Sequence, residues 1–546
     1  MHGLMMDYPL TVPAIMRRAR TMFGHRPVSG RRPDRTITKT SYAVVLDRAD
    51  RLSAALDGLG VRRGDRVATL AWASQEHLEA YLAIPSIGAV LHTLNLRLHP
   101  DDLSYIVNDA EDRVLIVDES LVPLYEKFSA STPSIEHVIV IASTPDSALQ
   151  EASHDNGLLD YEALLASADS ASAPALRLEE SDAAALCHTS GTTGRPKGVL
   201  YSHRSIVLHS FSQGLADSLA ISECDVVLPI VPMFHVNAWG LPFTGVLFGC
   251  GQVFPGPHLD GASVLDLIVR EKVTLTAGVP TVWLGMLQEL DRAPGTRDLS
   301  ALRCIAIGGS AAPPSMIAAY QQRHNIKIVH AWGMTELTPL GTVCNMPAGL
   351  RDASFDEQLR YRARQGKPLP FVEIRAVADG REVPWDGATM GELEVRGPWV
   401  ASQYFNVDGP DQRFSEDGWF RTGDVVMIHA DGCVELTDRA KDLVKSGGEW
   451  ISSVALENAL MAHPAVAEAA VIAVPHPKWD ERPLAVVVLR KDQRVTAEEL
   501  REFLAPKFAN WWLPDTIEFT SEIPRTSVGK FKKSILRDTY RERYMN

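Results

Sequence analysis

Residues 189–199 read TSGTTGRPKGV and follow the apolar run Ala183–Cys187 after one intervening residue, His188. This stretch puts four hydroxyl side chains, three glycines and one lysine into a single loop behind a predicted strand. Glycine lets a backbone approach phosphate oxygens closely, hydroxyls donate hydrogen bonds, and a lysine adds a point charge. The loop is not a Walker A motif, because Lys197 stands between Pro196 and Gly198 rather than before Ser or Thr. A solvated turn has no use for this concentration of phosphate-directed groups, so the stretch reads as a phosphate-binding loop.

Outward from the loop, helix and strand signals alternate. Residues 41–56 place apolar side chains at helical spacing. Arg66–Ala73, Val114–Val117, Val138–Ile141, Ala183–Cys187, Val226–Val231 and Leu302–Ile307 are short apolar strand candidates. That alternation predicts α/β layers with mostly parallel strands. Residues 143–174, rich in Ser, Ala and Asp, read as a surface excursion. Beyond Gly391 the pattern changes to short strand-like runs and Gly-rich turns. After DRAKD come a helix near Val454–Met461, strands at Ala469–Val474 and Leu484–Leu489, and a helix opened by the capping box Thr496/Glu499. The expected fold class is α/β, with a large multi-subdomain N-terminal domain over 1–437, a junction at 438–442 and a small α+β domain over 443–546.

At 546 residues the chain exceeds one ordinary core. Its net charge of −14 argues against nucleic-acid binding, which depends on clustered Lys and Arg. The six cysteines form no C-x-x-C pair, which predicts buried reduced thiols and a cytoplasmic protein. The N-terminal residues carry their basic groups after the apolar ones, the wrong order for a secretory signal. The long apolar stretch 228–257 is interrupted by Pro232, His235, Asn237 and Pro242, so it reads as buried core lining a pocket rather than a membrane span.

Further motifs follow the loop in order: WGMTE at Trp332–Glu336, WFRTGD at Trp419–Asp424, DRAKDLVK at Asp438–Lys445 and PRTSVGK at Pro524–Lys530. With TSGTTGRPKGV they resemble the signatures of the adenylate-forming superfamily, which holds acyl-CoA synthetases, peptide-synthetase adenylation domains and firefly luciferase. The resemblance spans roughly residues 40 to 535. It implies ATP, Mg²⁺ and coenzyme A as the small-molecule set, with a carboxylic acid as the other substrate, and leaves a homodimer open.

The same resemblance implies residue roles. Thr189, Ser190, Gly191, Thr192, Thr193, Gly194 and Lys197 would hold ATP phosphates, with Thr189 and Glu336 also serving Mg²⁺. Trp332, Gly333 and Thr335 would line the adenine, Trp332 standing where most relatives have Tyr, and Asp424 with Arg439 would take the ribose. Lys530 would bridge the carboxylate and α-phosphate as the catalytic lysine, alongside Glu336 and His235. Lys441 would be the hinge of a mobile C-terminal domain, and Lys445, Ser446, Gly447, Gly448 and Trp450 would face coenzyme A.

Met233–Trp239, MFHVNAW, bears on the acid. Amino-acid-activating relatives usually place an Asp near here for the substrate ammonium, whereas this chain has Phe234 and His235. An unpartnered ammonium would cost several kcal/mol, roughly, to desolvate. An apolar acyl group is therefore expected, with His235, Trp239, Gly240 and Gly309 around it. HAWGMTELTPLGT, SGGEWISSVALENAL and PHPKWDERPLAVVV resemble bacterial medium- and long-chain fatty acyl-CoA synthetases and the related methylmercaptopropionate-CoA ligases. The expected reaction is acyl-adenylate formation followed by transfer to coenzyme A. Competing readings are a short-chain or thioether acid ligase, a free-standing amino-acid adenylating enzyme, and a non-catalytic nucleotide or acyl-CoA sensor. A peptide-synthetase module would carry a carrier domain after the lysine motif, and none is seen before Asn546.

Overall fold

Parallel strands covered on both faces read as continuous apolar runs, and VLIVD at Val114–Asp118 is buried along its whole length for that reason. The computed structural model describes residues 1, 3–143, 157–189, 195–407, 409, 411–447, 449–526 and 530–545. The chain forms two compact units. The first comprises Met1–Ala306, Gly333–Gly341 and Gly397–Gln412; the second comprises Ile307–Trp332, Thr342–Arg396 and Arg413–Asn546. No described helix is long and apolar enough to cross a membrane.

The first unit carries a seven-stranded sheet in the order Leu158–Asp160, His137–Ile141, Val114–Asp118, Arg66–Leu70, Val90–Thr93, Ala183–His188, Gly198–Ser202. Neighbours run parallel until the last pair, an antiparallel hairpin. Residues 189–197 connect the two strands of that hairpin in sequence. A further sheet of this unit includes Leu275–Gly278, Val226–Pro229, Gly251–Phe254, Pro27–Arg31 and Ile37–Ser41. The helix expected over 41–56 is Tyr42–Gly58, with Ser41 at its N-cap position.

Two expectations need correction. Residues 144–156 of the expected excursion lie outside the described residues, but its second half is built into the fold. Leu158–Asp160 is an edge strand, and Asp160 then caps the helix Tyr161–Ser167. Buried Tyr161 donates to Glu79 Oε2 at 2.7 Å. The polar composition there belongs to a cap and a sheet edge. Cys224 is exposed while the other five cysteines are buried, because it sits in the turn before Val226–Pro229.

In the second unit an antiparallel sheet runs Arg381–Glu382, Glu373–Ala378, Met390–Arg396, Phe420–Ile428, Val434–Arg439. Residues 440–443 then pass into a second sheet, ordered Glu449–Ile451, Val444–Ser446, Asp480–Leu489, Val466–His476, with Thr516–Phe519 added in parallel to Asp480–Leu489. The predicted capping box is present: Thr496 Oγ1 accepts from Glu499 N, and Glu499 accepts from Thr496 N.

A buried ionic cluster fastens the 438–442 passage to the last helix, Lys533–Tyr540. Lys533 Nζ lies 2.6 Å from Glu457 Oε1 and donates to Ser453 Oγ at 2.6 Å. Ser453 in turn donates to Asp438 Oδ2 through both its backbone N–H and its hydroxyl, at 2.6 Å each. One turn on from Lys533, Arg537 binds Asp442. Removing one member of a buried pair strands the other, so Lys533→Met is expected to cost about 3–5 kcal/mol. Urea unfolding measures this. Adding Glu457→Met should recover much of the loss, and no recovery would show that the pair is not the source.

Candidate active site

In the first unit the phosphate loop is closed at its base by its own residues. Thr189 N–H donates to Lys197 C=O at 2.9 Å, and Lys197 N–H donates to Thr189 Oγ1 at 3.1 Å. His188 and Gly198 are register partners at the loop's mouth. Ser190, Gly191, Thr192, Thr193 and Gly194 lie outside the described residues. The segment Gly397–Gln412, distant in sequence, straps this mouth: Phe405 N–H donates to Gly198 C=O at 2.8 Å. A Cβ on Gly198 would meet Phe405 Cβ and Leu186 Cδ1 at 3.1 Å, so close packing selects glycine there.

The strap supplies two residues that the sequence reading missed. Lys197 Nζ pairs with Asp411 Oδ2 at 2.6 Å and lies 4.5 Å from the centre of the Tyr404 ring. The Tyr404 hydroxyl donates to Glu336 Oε1 at 2.6 Å. Glu336 is 4% exposed. Tyr201 donates to the carbonyl of Thr335 at 2.6 Å, which fixes the backbone beside Glu336. Thr189, Lys197, Tyr404 and Glu336 are thereby connected through a short series of contacts. A phosphate-loop lysine, a buried carboxylate and a hydroxyl form a set suited to a polyphosphate with its counter-cation. Mg²⁺ takes one or two carboxylates together with phosphate oxygens and water. Glu336 and the Thr189 hydroxyl fit that requirement.

Also in this unit, His235 donates its backbone N–H to Pro232 C=O at 2.9 Å and precedes an unusual turn. Val236, Asn237, Ala238, Trp239 and Gly240 have φ of +48, +51, +50, +56 and +72°, a run of left-handed backbone. L-residues other than Gly pay roughly 1–2 kcal/mol each for this conformation. A Cβ on Gly240 would come 2.8 Å from His209 Nδ1. An apolar cleft lined in part by Trp72, Leu96, Arg97, Val231, Phe234 and Leu259 adjoins the 230–234 segment and does not include His235, Trp239 or Gly240.

Gly333 also belongs to the first unit, whereas the second holds Trp332, Asp424, Arg439, Lys441 and Lys530. Asp424 and Arg439 are register partners on adjacent strands, with Arg439 Nε 3.3 Å from Asp424 Oδ1. Trp332 Nε1–H donates to Asp424 Oδ2 at 2.7 Å, so indole and carboxylate form one buried group. Gly309, placed with the acyl group from sequence, is in this unit at φ +82°. Lys441 stands in the 440–443 passage, its charged form disfavoured chiefly by burial. Lys530 is paired with Thr526: Thr526 N–H donates to its carbonyl at 2.7 Å, and its own N–H donates to Thr526 Oγ1 at 3.1 Å.

On the side expected for coenzyme A, Lys445 and Trp450 are cross-strand partners, with the ammonium 5.6 Å from the ring centre. Ser446 is buried and accepts from Arg482 at 3.1 Å. Gly447 donates to Trp479 C=O at 2.8 Å, and exposed Trp479 carries Lys478 4.6 Å from its ring centre. Gly448 lies outside the described residues.

The sequence pattern described as AMP-binding enzyme matches residues 19–405, and that of the AMP-binding enzyme C-terminal domain matches residues 455–530. A long-chain-fatty-acid–CoA ligase of Thermus thermophilus is 47% identical over 543 residues, covering 99% of this chain and 97% of that protein. A 3-methylmercaptopropionyl-CoA ligase of Ruegeria lacuscaerulensis is 44% identical over 99% of both chains. A medium-chain-fatty-acid–CoA ligase of Ectopseudomonas oleovorans is 42% identical over 99% of this chain and 98% of its own. Among solved structures, an anthranilate CoA ligase in complex with anthranoyl-AMP superposes with a TM-score of 0.85 at 27% identity, covering 99% of each chain.

Tyr404 links the loop lysine to the buried carboxylate, and its two contacts can be separated by substitution. Tyr404→Phe keeps the ring beneath Lys197 and removes the hydrogen bond to Glu336. It should lower kcat/KM for ATP about tenfold, the scale of one charge-assisted hydrogen bond. Tyr404→Ala removes both contacts and should lose more. ATP-dependent pyrophosphate release reads both variants, and equal activity of the Tyr404→Phe variant and wild type would remove the hydroxyl from the site.

Proposed function

This chain belongs to the AMP-binding enzyme family, and we propose from that premise that it is an ATP-dependent acid–CoA ligase acting on a medium- or long-chain fatty acid. The connected set Thr189, Lys197, Tyr404 and Glu336 carries the nucleotide half of the reading. The acid half rests on the segment 233–241. Phe234, Val236, Ala238 and Leu241 are buried there, and the segment itself contains no Asp or Glu.

Bringing a carboxylate to ATP sets negative charge against negative charge, so the residues must supply cations and oriented donors before bonds change. Lys197 and the loop hydroxyls bind the phosphates. Glu336 and Thr189 would hold Mg²⁺, which when bound neutralises phosphate charge. Asp424 takes the ribose hydroxyls on the lone pairs left by Trp332 and Arg439, and Trp332 offers its aromatic face to adenine. Lys530 attracts the acid's carboxylate oxygen and the α-phosphate oxygen as the new P–O bond forms and pyrophosphate leaves. The coenzyme A thiol then attacks the acyl carbon, and AMP departs with the bridging oxygen. We read residues 438–442 as the hinge between the two half-reactions, with 443–546 as the moving part and Lys445, Ser446, Gly447 and Trp450 serving the second. The burial of five of the six scattered cysteines supports a cytoplasmic setting.

A second reading has its own observation. The Ruegeria lacuscaerulensis relative that matches over 99% of both chains is a 3-methylmercaptopropionyl-CoA ligase, so a short thioether acid is the alternative substrate. Pyrophosphate release across butyrate, octanoate, myristate and 3-methylmercaptopropionate, with and without coenzyme A, distinguishes them. We expect octanoate or myristate to lead in kcat/KM. A clear preference for the thioether acid would reassign the substrate, and no acid-dependent release would end the ligase reading.

The half-reactions should separate by residue. Lys530→Ala is expected to reduce adenylation by several orders of magnitude while sparing thioester formation from supplied acyl-adenylate. Lys441→Pro, with φ locked near roughly −65°, should accumulate adenylate and fail at transfer. Single-turnover assays of each step test both, and a variant losing the two steps equally would contradict its assigned role.

A further inference from the structure

Beneath the mouth of the phosphate loop lies a chain of four titratable side chains, its far end buried and Asp109 at its near end partly exposed. Asp112 Oδ2 is 2.7 Å from His92 Nδ1, His92 Nε2 is 2.9 Å from His188 Nδ1, and His188 Nε2 is 3.1 Å from Asp109 Oδ2. His92 and Asp112 have no side-chain exposure and His188 has 3%. The near end of this chain touches the nucleotide machinery twice. His188 Nε2 lies 3.3 Å from where a Cβ on Gly198 would be, at the residue pair that opens and closes the loop. Asp109 accepts through its backbone carbonyl from Asn406 Nδ2 at 2.7 Å, two residues beyond Tyr404 on the strap.

Each of the three contacts needs one proton, and an imidazole nitrogen facing another can be only donor or acceptor. With Asp109 as a carboxylate, His188 donates to it from Nε2 and accepts at Nδ1. His92 must therefore donate from Nε2. The contact behind it is then completed by a proton on either Asp112 Oδ2 or His92 Nδ1. Asp112 Oδ1 has no hydrogen-bond partner among the described residues, and burial pushes the Asp112 carboxyl up. A buried carboxylate oxygen left without donors is costly, whereas a neutral carboxylic acid tolerates one bare carbonyl. The chain runs one way, from an acid donor at Asp112 to an acceptor at Asp109.

We propose that His92, backed by Asp112, is a positioning residue for the adenylation step. It sets the tautomer and place of His188, and so the width of the loop mouth and the seat of the strap that carries Tyr404. This rests on reading residues 189–197 as the ATP loop. Asp112→Asn is the diagnostic substitution, because its amide N–H can donate to His92 Nδ1 as the acid does, whereas Asp112→Leu cannot. His92→Phe removes both contacts of the ring at similar shape.

The test is pyrophosphate release as a function of ATP, beside thioester formation from supplied acyl-adenylate and thermal unfolding. His92→Phe and Asp112→Leu should raise KM for ATP about tenfold with a smaller change in kcat, leave the acyl-adenylate step intact, and be matched by a near-normal Asp112→Asn. Unchanged KM for ATP in folded His92→Phe, or equal loss in both half-reactions, overturns the proposal. Should His92→Phe not fold, the Asn and Leu variants at 112 decide it, and identical KM values for those two overturn it. Lys197→Ala is the control. If it raises KM for ATP and His92→Phe does not, the loop reading stands and this inference falls; if Lys197→Ala has no effect, the loop reading falls first.

Discussion

A buried carboxylate two contacts away from the lysine of the 183–202 hairpin is the constraint on which the strapped hairpin of the first unit depends. Glu336 would be expensive to leave in a low-dielectric interior without a donor, and the Tyr404 hydroxyl supplies one. Tyr404 can do so only because residues 397–412 are strapped across the hairpin by Phe405 and Asn406. The same ring faces Lys197, whose charge is balanced by Asp411 from the same strap. Cation, aromatic ring, hydroxyl and two carboxylates thus form one connected group in the first unit.

What could be read in the sequence follows from how local each feature is. The stretch 189–197 announces itself as a candidate phosphate loop, because its glycines, hydroxyls and lysine are contiguous in sequence. Asp424 and Arg439 were recognisable by motif, and strand register then places them side by side. The Thr496/Glu499 capping box is a three-residue signal and is present as expected. Tyr404 and Asp411 were missed because their meaning arises only when a segment about two hundred residues beyond the loop folds over it. The edge strand Leu158–Asp160 was missed because its neighbours are polar cap and edge residues, whose composition resembles a loop.

The His92 relay was invisible for a further reason. A lone histidine in an apolar strand reads as core, and its partners come from another strand and from the end of a helix. Only the parallel pairing of Val90–Thr93 with Ala183–His188 makes the two rings neighbours. Likewise, nothing in HVNAWG announces five successive left-handed residues, since only Asn237 and Gly240 are types that visit that region readily.

That strained turn and the relay are tied to the same two strands. Successive strand residues point to opposite faces, and these strands use the alternation consistently. His92 and His188 face the relay. The adjacent residues Thr93 and Cys187 face the turn, where Thr93 Oγ1 donates to Phe234 C=O at 3.2 Å and Cys187 Sγ donates to Asn237 Oδ1 at 3.2 Å. Gln213 donates to Trp239 C=O at 2.8 Å and accepts from Thr244 at 2.6 Å, holding the far end of the turn. A backbone costing several kcal/mol, roughly, persists only where its surroundings over-determine it, and here they do so from the sheet on one side and a helix on the other. One strand pair therefore fixes the loop mouth on one face and the apolar turn on the other. A shift of either strand by a single residue would exchange the two faces and lose both, which makes the register of Val90–Thr93 against Ala183–His188 the element that couples the hairpin mouth to the left-handed turn within this unit.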